Sequence, residues 1–258
     1  MGTRRVRAIT LTLVASLCGI VGMSAACTRT SSHAQSANHG GLAGPGGTIT
    51  GRVTVRGPRP AVQPIHMGLD PTCLEIAGAT PVNDDLVVAS DGAVGNAFVY
   101  IAAGLPPGAA PGPPATPVVL DQHGCRFVPH ILGVRAGQPL EFVNSDPTEH
   151  TVHAEPGRNA EFNRLQPMQG MRESHVFTEP DVMLRLKCDR HPWMSAYIGI
   201  MEHPFFAVTA ADGSFTLSGV PDGHYTVAMW HEQLGRLERE AAIVNQHVVH
   251  ADFMIESK

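Results

Sequence analysis

Cys188-Asp-Arg-His191-Pro-Trp-Met194 sets a thiol, an imidazole and a thioether at C-x2-H-x2-M spacing. Upstream, Asn144-Ser-Asp-Pro-Thr-Glu-His150 ends on a second imidazole, 38 residues before Cys188. One thiolate, two imidazoles and a thioether make the donor set of a mononuclear blue-copper site, trigonal His2Cys with a weak axial Met. A soft thiolate favours Cu(I) and imidazole suits Cu(II). A mixed set held rigidly changes little when one electron arrives. Zinc could take the two imidazoles and the thiolate, but it ordinarily keeps a position for water and gains little from a thioether. A dinuclear copper site needs a second bridging Cys near Cys188, and the sequence has none there.

These donors need elements to present them. In Val182-Met-Leu-Arg-Leu-Lys-Cys188, alternation along a strand predicts that Val182, Leu184, Leu186 and Cys188 share the buried face while Arg185 and Lys187 point away. A tight loop then returns His191 and Met194 to the thiolate. His153 lies three residues from His150, so on a strand it faces the other way and reads as a surface residue.

Thr48–Arg56 alternates with period two, placing Ile49, Val53 and Val55 on one face. Further short strands are predicted throughout, separated by Asp91-Gly92, Ala136-Gly137, Asp212-Gly213 and Pro221-Asp-Gly223 turns. Among them are 86–89, 97–102, 117–120, 131–135, 140–143, 225–230 and 248–254. Residues 104–117, rich in Pro and Gly, read as a connecting loop. Residues 155–175 lack a clear period and are where a short helix is expected. With 16% charged residues, 27 Gly and 21 Pro, the fold class is all-β, built of β-sandwiches.

Residues 1–26 read as a secretory signal: Arg4, Arg5 and Arg7, then an apolar run, then Ser24-Ala-Ala26. Cys27 follows directly and resembles a bacterial lipoprotein cleavage site, with cleavage after Ala26 and a free thiol as the alternative. Residues 27–46 form a small, polar, Gly-rich tether. Loss of the signal removes three Arg and no acids, taking the formal charge from −5 to −8. That balance offers nothing to phosphate and excludes nucleic acid as the expected partner. In an oxidising compartment Cys73, Cys125 and Cys188 are an odd set. With Cys188 assigned to metal, a Cys73–Cys125 disulfide is expected, two buried thiols being the alternative.

Residues from about 126 to 209 resemble the cupredoxins. RFVPHILGVRAGQPLEFVNSDPTEHTVHA is similar to their strand, glycine turn and apolar strand ending in Asn before the first His ligand. CDRHPWM looks like their ligand loop in the short form found in amicyanin. The resemblance implies a Greek-key β-sandwich with His150, Cys188, His191 and Met194 on one copper ion. It places Asn144 where a residue ties the ligand loops together, and Thr151 where many members carry Asn. It also implies an exposed His191 edge for electron exit, with Pro192 and Trp193 as docking residues. The stretch ADGSFTLSGVPDGHYTVAMWHEQLG resembles the carboxypeptidase regulatory-like or carbohydrate-binding-like β-sandwich, and GTITGRVTVRGPRP its first strand.

The expected layout is a signal peptide over 1–26, a tether over 27–46 and an N-terminal β segment over 47–84. A copper domain over 85–208 and a second β domain over 209–258 follow, the latter borrowing strand 47–56. The expected function is a periplasmic or outward-facing electron carrier, lipid-anchored through Cys27, serving a redox protein. The competing reading is a copper-binding structural or interaction lipoprotein, its C-terminal domain binding glycan or protein. Copper enzymes of this type carry additional H-x-H ligands; 14 His are present without one such pair, so catalysis is not expected.

Overall fold

The computed structural model describes residues 45–257 apart from 59–60, 62, 69, 78–80 and 156. The signal, the tether and Cys27 lie outside the described residues. The chain opens with β1 (Gly47–Arg56), a helix α1 (Pro71–Ala77), β2 (Phe98–Ala103), β3 (Val118–Gln122) and β4 (Phe127–Val128). It continues through β5 (Ile131–Arg135), β6 (Pro139–Asn144), β7 (His150–Ala154), β8 (Phe162–Gln166) and β9 (Arg172–Val176). Then come β10 (Asp181–Lys187), β11 (Ser195–Met201), β12 (Phe206–Val208), β13 (Ser214–Val220) and β14 (Gly223–His231). β15 (Gly235–Ile243), β16 (Val248–His250) and β17 (Phe253–Glu256) close it. The regular structure of the described residues is almost entirely β, a two-sheet sandwich that carries the site together with an additional β module.

Two sheets form the site-bearing sandwich, ordered β4-β3-β6-β9 and β5-β11-β10-β7-β8. Non-consecutive neighbours such as β3 with β6 and β11 with β5 pair in parallel, as crossing connections require. Between the sheets lies one apolar core containing Leu120, Phe127, Leu132, Phe142, Val152, Leu186 and Ile198. Cys188 and Met194 belong to this core at one end of it. Water is therefore kept from the thiolate by the same packing that holds the sheets together.

The second module uses β1 between β13 and β16, with β17 continuing along β1, and a further sheet ordered β12-β2-β14-β15. The N-terminal strand thus joins the C-terminal ones. The modules also interleave beyond that: β2 and β12 fall inside 85–208, yet β14 pairs with β2 and β2 with β12. Phe98 and Phe206 from these two strands reach across to the site-bearing sandwich. They stack at 5.7 Å against Gly133 and Gly199, which sit opposite one another on β5 and β11. A Cβ on Gly199 would lie 2.2 Å from Phe98 and one on Gly133 2.3 Å from Phe206, so the close approach requires glycine at both positions.

Three local expectations change. Residues 155–175 contain β8 and most of β9; both are edge strands built mainly of polar residues, so their alternation in burial is not mirrored by an apolar–polar alternation in the sequence. The helix is α1, where Asp70 caps the first turn through its Oδ1 to the Cys73 N–H at 2.9 Å and Pro71 occupies the first helical position. On β10, Met183 is an extra residue with φ of 67° in a bulge. It is buried and Val182 is turned outward, while the phase from Leu184 onward remains as expected.

Candidate metal centre

β7 begins at His150, and β10 ends at Lys187, one residue before Cys188. The two strands are antiparallel neighbours, so the imidazole and the thiol emerge at the same end of the sheet. The loop 188–194 is closed by backbone bonds from Cys188 N–H to Met194 O at 3.2 Å and from Met194 N–H to His191 O at 2.9 Å. This compact turn carries His191 back over Cys188. One ligand atom each from His150, Cys188 and His191 lie within 4.8 Å of one another, all three residues being buried. His150 Nδ1 is 2.9 Å from His191 Nδ1, and His191 Nδ1 is 3.7 Å from Cys188 Sγ. Met194, 1% exposed, is buried with them in the same apolar cluster.

The thiolate is stabilised locally. Thr151 N–H lies 3.3 Å from Cys188 Sγ and its hydroxyl 3.7 Å. Thr151 Oγ1 also accepts the Asp189 N–H at 2.7 Å, so this residue ties β7 to the 188–194 loop. Asn144 fastens the other loop: Nδ2 donates to Thr148 O at 2.8 Å and Gln166 O at 3.0 Å, and Oδ1 accepts the Asp146 N–H at 3.0 Å. Burial opposes ionisation of Cys188, but the hydrogen bonds from His150, His191 and Thr151 outweigh it and hold the thiol at about 5. Burial likewise disfavours a charged His150, yet Asp146 and the thiolate raise it to about 9. The donor set carries its proton on imidazole and its negative charge on sulfur, the state from which a cation displaces a proton.

The outer nitrogens are committed elsewhere. His150 Nε2 is 3.0 Å from Asp146 Oδ2 and His191 Nε2 is 3.0 Å from Asp70 Oδ2. Each carboxylate fixes the tautomer that leaves Nδ1 free to ligate. Neither Asp was singled out by the sequence. Asp146 sits inside the Asn144–His150 motif, but Asp70 comes from a segment 121 residues away from His191. Cys73 and Cys125 are joined by a disulfide, leaving Cys188 as the free cysteine among the described residues.

That disulfide changes the expected exit edge. His191 is only 3% exposed: Asp70 and Cys73 lie against its Nε2, and Ile65, Met67 and Cys73 are packed into the core. Trp193 packs on the His191 ring at 5.0 Å and donates to Cys125 O at 3.0 Å. Of the two residues expected to dock a partner, Pro192 is exposed and Trp193 is half-buried. His153 is engaged by Asp189 and Glu161, both at 2.9 Å, on the outside of the sandwich.

No family model matches the chain and no curated protein matches it. Among solved structures it is similar to a purple cupredoxin from Nitrosopumilus maritimus, 25% identical over 29% of this chain and 80% of that one, with a TM-score of 0.26. A mutant of amicyanin in its Cu(I) form is 22% identical over 38% of this chain and 97% of the other, with a TM-score of 0.30. A copper-containing nitrite reductase from Thermus scotoductus is 22% identical, covering 48% of this chain but 27% of that one, also at 0.30. These overlaps are partial, and the site is read from its own donor atoms.

Proposed function

We propose that the chain is an exported type 1 copper protein that carries single electrons through His150, Cys188, His191 and Met194. The observation that carries this reading is the convergence of two imidazole Nδ1 atoms on one buried, acidified thiol. The donor types fit copper: two nitrogens, one thiolate and a buried thioether on the closing loop. Bound copper would supply a Cu(II)/Cu(I) couple, taking one electron from a reduced protein and giving it to an oxidised one. The chain's part is to fix the ligands before the electron arrives. Thr151 holds the sulfur, Asp146 and Asp70 hold the imidazoles, and the apolar core excludes water.

The signal-like N-terminus and Cys27 support a periplasmic or outward-facing location with a lipid anchor. The module built on β1 and β13–β17 acts as scaffold or interaction surface. Copper-loaded protein is expected to be intensely coloured, with a narrow EPR hyperfine splitting and a reversible one-electron couple. Cys188→Ala abolishes the colour; a colourless wild type with no couple overturns the reading.

The burial of His191 favours a second reading, in which the copper is shielded and turns over slowly. Electron self-exchange much slower than in carriers with an open histidine edge selects it.

A further inference from the structure

Asp70 and Asp146 share a feature beyond their imidazole partners. Asp146 Oδ2, which receives His150 Nε2, also accepts the Cys125 N–H at 2.7 Å, while Oδ1 accepts the Gly124 N–H at 2.7 Å. Asp70 Oδ2 receives His191 Nε2, and its Oδ1 accepts the Cys73 N–H at 2.9 Å. Cys73 and Cys125 are the two halves of one disulfide. The chain of contacts therefore runs from His150 through Asp146 and Cys125 to Cys73, Asp70 and His191, and closes where the two Nδ1 atoms meet. Cys73 Sγ itself lies 3.6 Å from His191 Nε2.

Resting on the copper reading, we infer that the Cys73–Cys125 disulfide and the two carboxylates form a clasp outside the metal, with Asp70 and Asp146 as positioning residues for the ligand imidazoles. Asp146 is 2% exposed and belongs to the loop before β7. Asp70 belongs to no strand of the sandwich; it directly precedes α1, three residues before Cys73, whose bond to Cys125 ties this stretch covalently to the sandwich. A carboxylate on the outer N–H strengthens an imidazole as a donor, which favours the more highly charged metal state. The disulfide thus bears on the metal site through two hydrogen bonds, one from each of its cysteine N–H groups to the carboxylate that holds a ligand imidazole.

Outer partners of this kind change metal affinity by about 10–100-fold. Asp70→Ala is expected to weaken Cu(II) binding by about tenfold or more with Cu(I) binding little changed. For a one-electron couple a tenfold change is a rise of about 59 mV. Asp70→Asn keeps an acceptor oxygen without the charge and should fall between Ala and wild type. The decisive arm is a cycle with Cys73→Ala/Cys125→Ala. If the clasp operates, releasing the segment already removes most of the Asp70 effect, so the combined variant shows far less than the sum of the two.

NMR gives a reading independent of copper. In the metal-free protein the His191 Nε2–H should exchange slowly in wild type and in Asp70→Asn, and fast in Asp70→Ala and in the disulfide variant. Additive effects on affinity and potential, or an unchanged His191 Nε2–H in Asp70→Ala, overturn the clasp even if the wild type is fully blue. A wild type that takes up no copper sinks the copper reading, while the exchange data still judge the clasp.

Discussion

The Thr151 backbone N–H points at the Cys188 sulfur from 3.3 Å, and the Thr151 hydroxyl simultaneously accepts the Asp189 N–H from 2.7 Å. One residue thereby supports the thiolate and holds the loop that follows it. Thr151→Val keeps the volume and the backbone donor but deletes the hydroxyl. The Asp189 N–H then loses its acceptor, at a cost of about 1 kcal/mol in stability. With less hydrogen bonding to sulfur the thiolate donates more strongly, so the potential should fall. Urea unfolding and voltammetry check the two effects.

Met194 sits in the core at the end of the ligand loop. Met194→Leu conserves volume and should cost less than about 1.5 kcal/mol in stability. The axial ligand tunes the potential of a blue-copper site, so removal of the thioether should raise it while the colour persists. An unchanged potential excludes Met194 from the ligand set.

The Cys73–Cys125 bridge spans a sequence separation of 52. Closing a loop of that size constrains the unfolded chain by about 4 kcal/mol on the chain-entropy model. Cys73→Ala/Cys125→Ala should lower the unfolding free energy of the metal-free protein by an amount of that order, measured by urea denaturation.

Gly199 lies under the Phe98 ring, where an added Cβ would stand 2.2 Å from Cζ. Gly199→Ala forces Phe98 out of its packing against Phe206, and overpacking of this kind costs about 1–3 kcal/mol. Thermal unfolding should register the loss. Gly112→Ala, where no atom lies within 4 Å of the new Cβ and the backbone is outside the left-handed region, should not show this loss.

Burial lowers both His231 and His203 to about 4. His231 Nδ1 accepts the Gln233 N–H at 3.2 Å and its Nε2 is buried without a partner, so the charged form has no place in the fold. The unfolded chain binds these protons near 6.5 and the folded chain near 4. Stability is therefore complete above pH 6.5 and falls as the pH drops toward 4, by on the order of 3 kcal/mol for His231 at about 1.4 kcal/mol per unit. His231→Asn, whose Oδ1 can keep the Gln233 acceptor, should flatten this part of the pH–stability curve.

The all-β class and the strands with clear alternation were legible in the sequence alone, as was the spacing of His150, Cys188, His191 and Met194 as candidate ligands, because composition, period-two burial and residue spacing are local properties of a chain. Edge strands such as β8 and β15 escaped it, since each is mostly polar and exposed and turns too few apolar residues inward to set up a period. The bulge at Met183 escaped it too, since one inserted residue shifts the phase without changing composition. Tertiary structure alone decided that β2 and β12 join β14, that the glycines of β5 and β11 receive two phenylalanines, and that His191 is covered. Asp70 reaches that histidine from 121 residues away. No local pattern encodes such a contact; it exists because a disulfide and a packed core bring distant segments to one end of the sandwich.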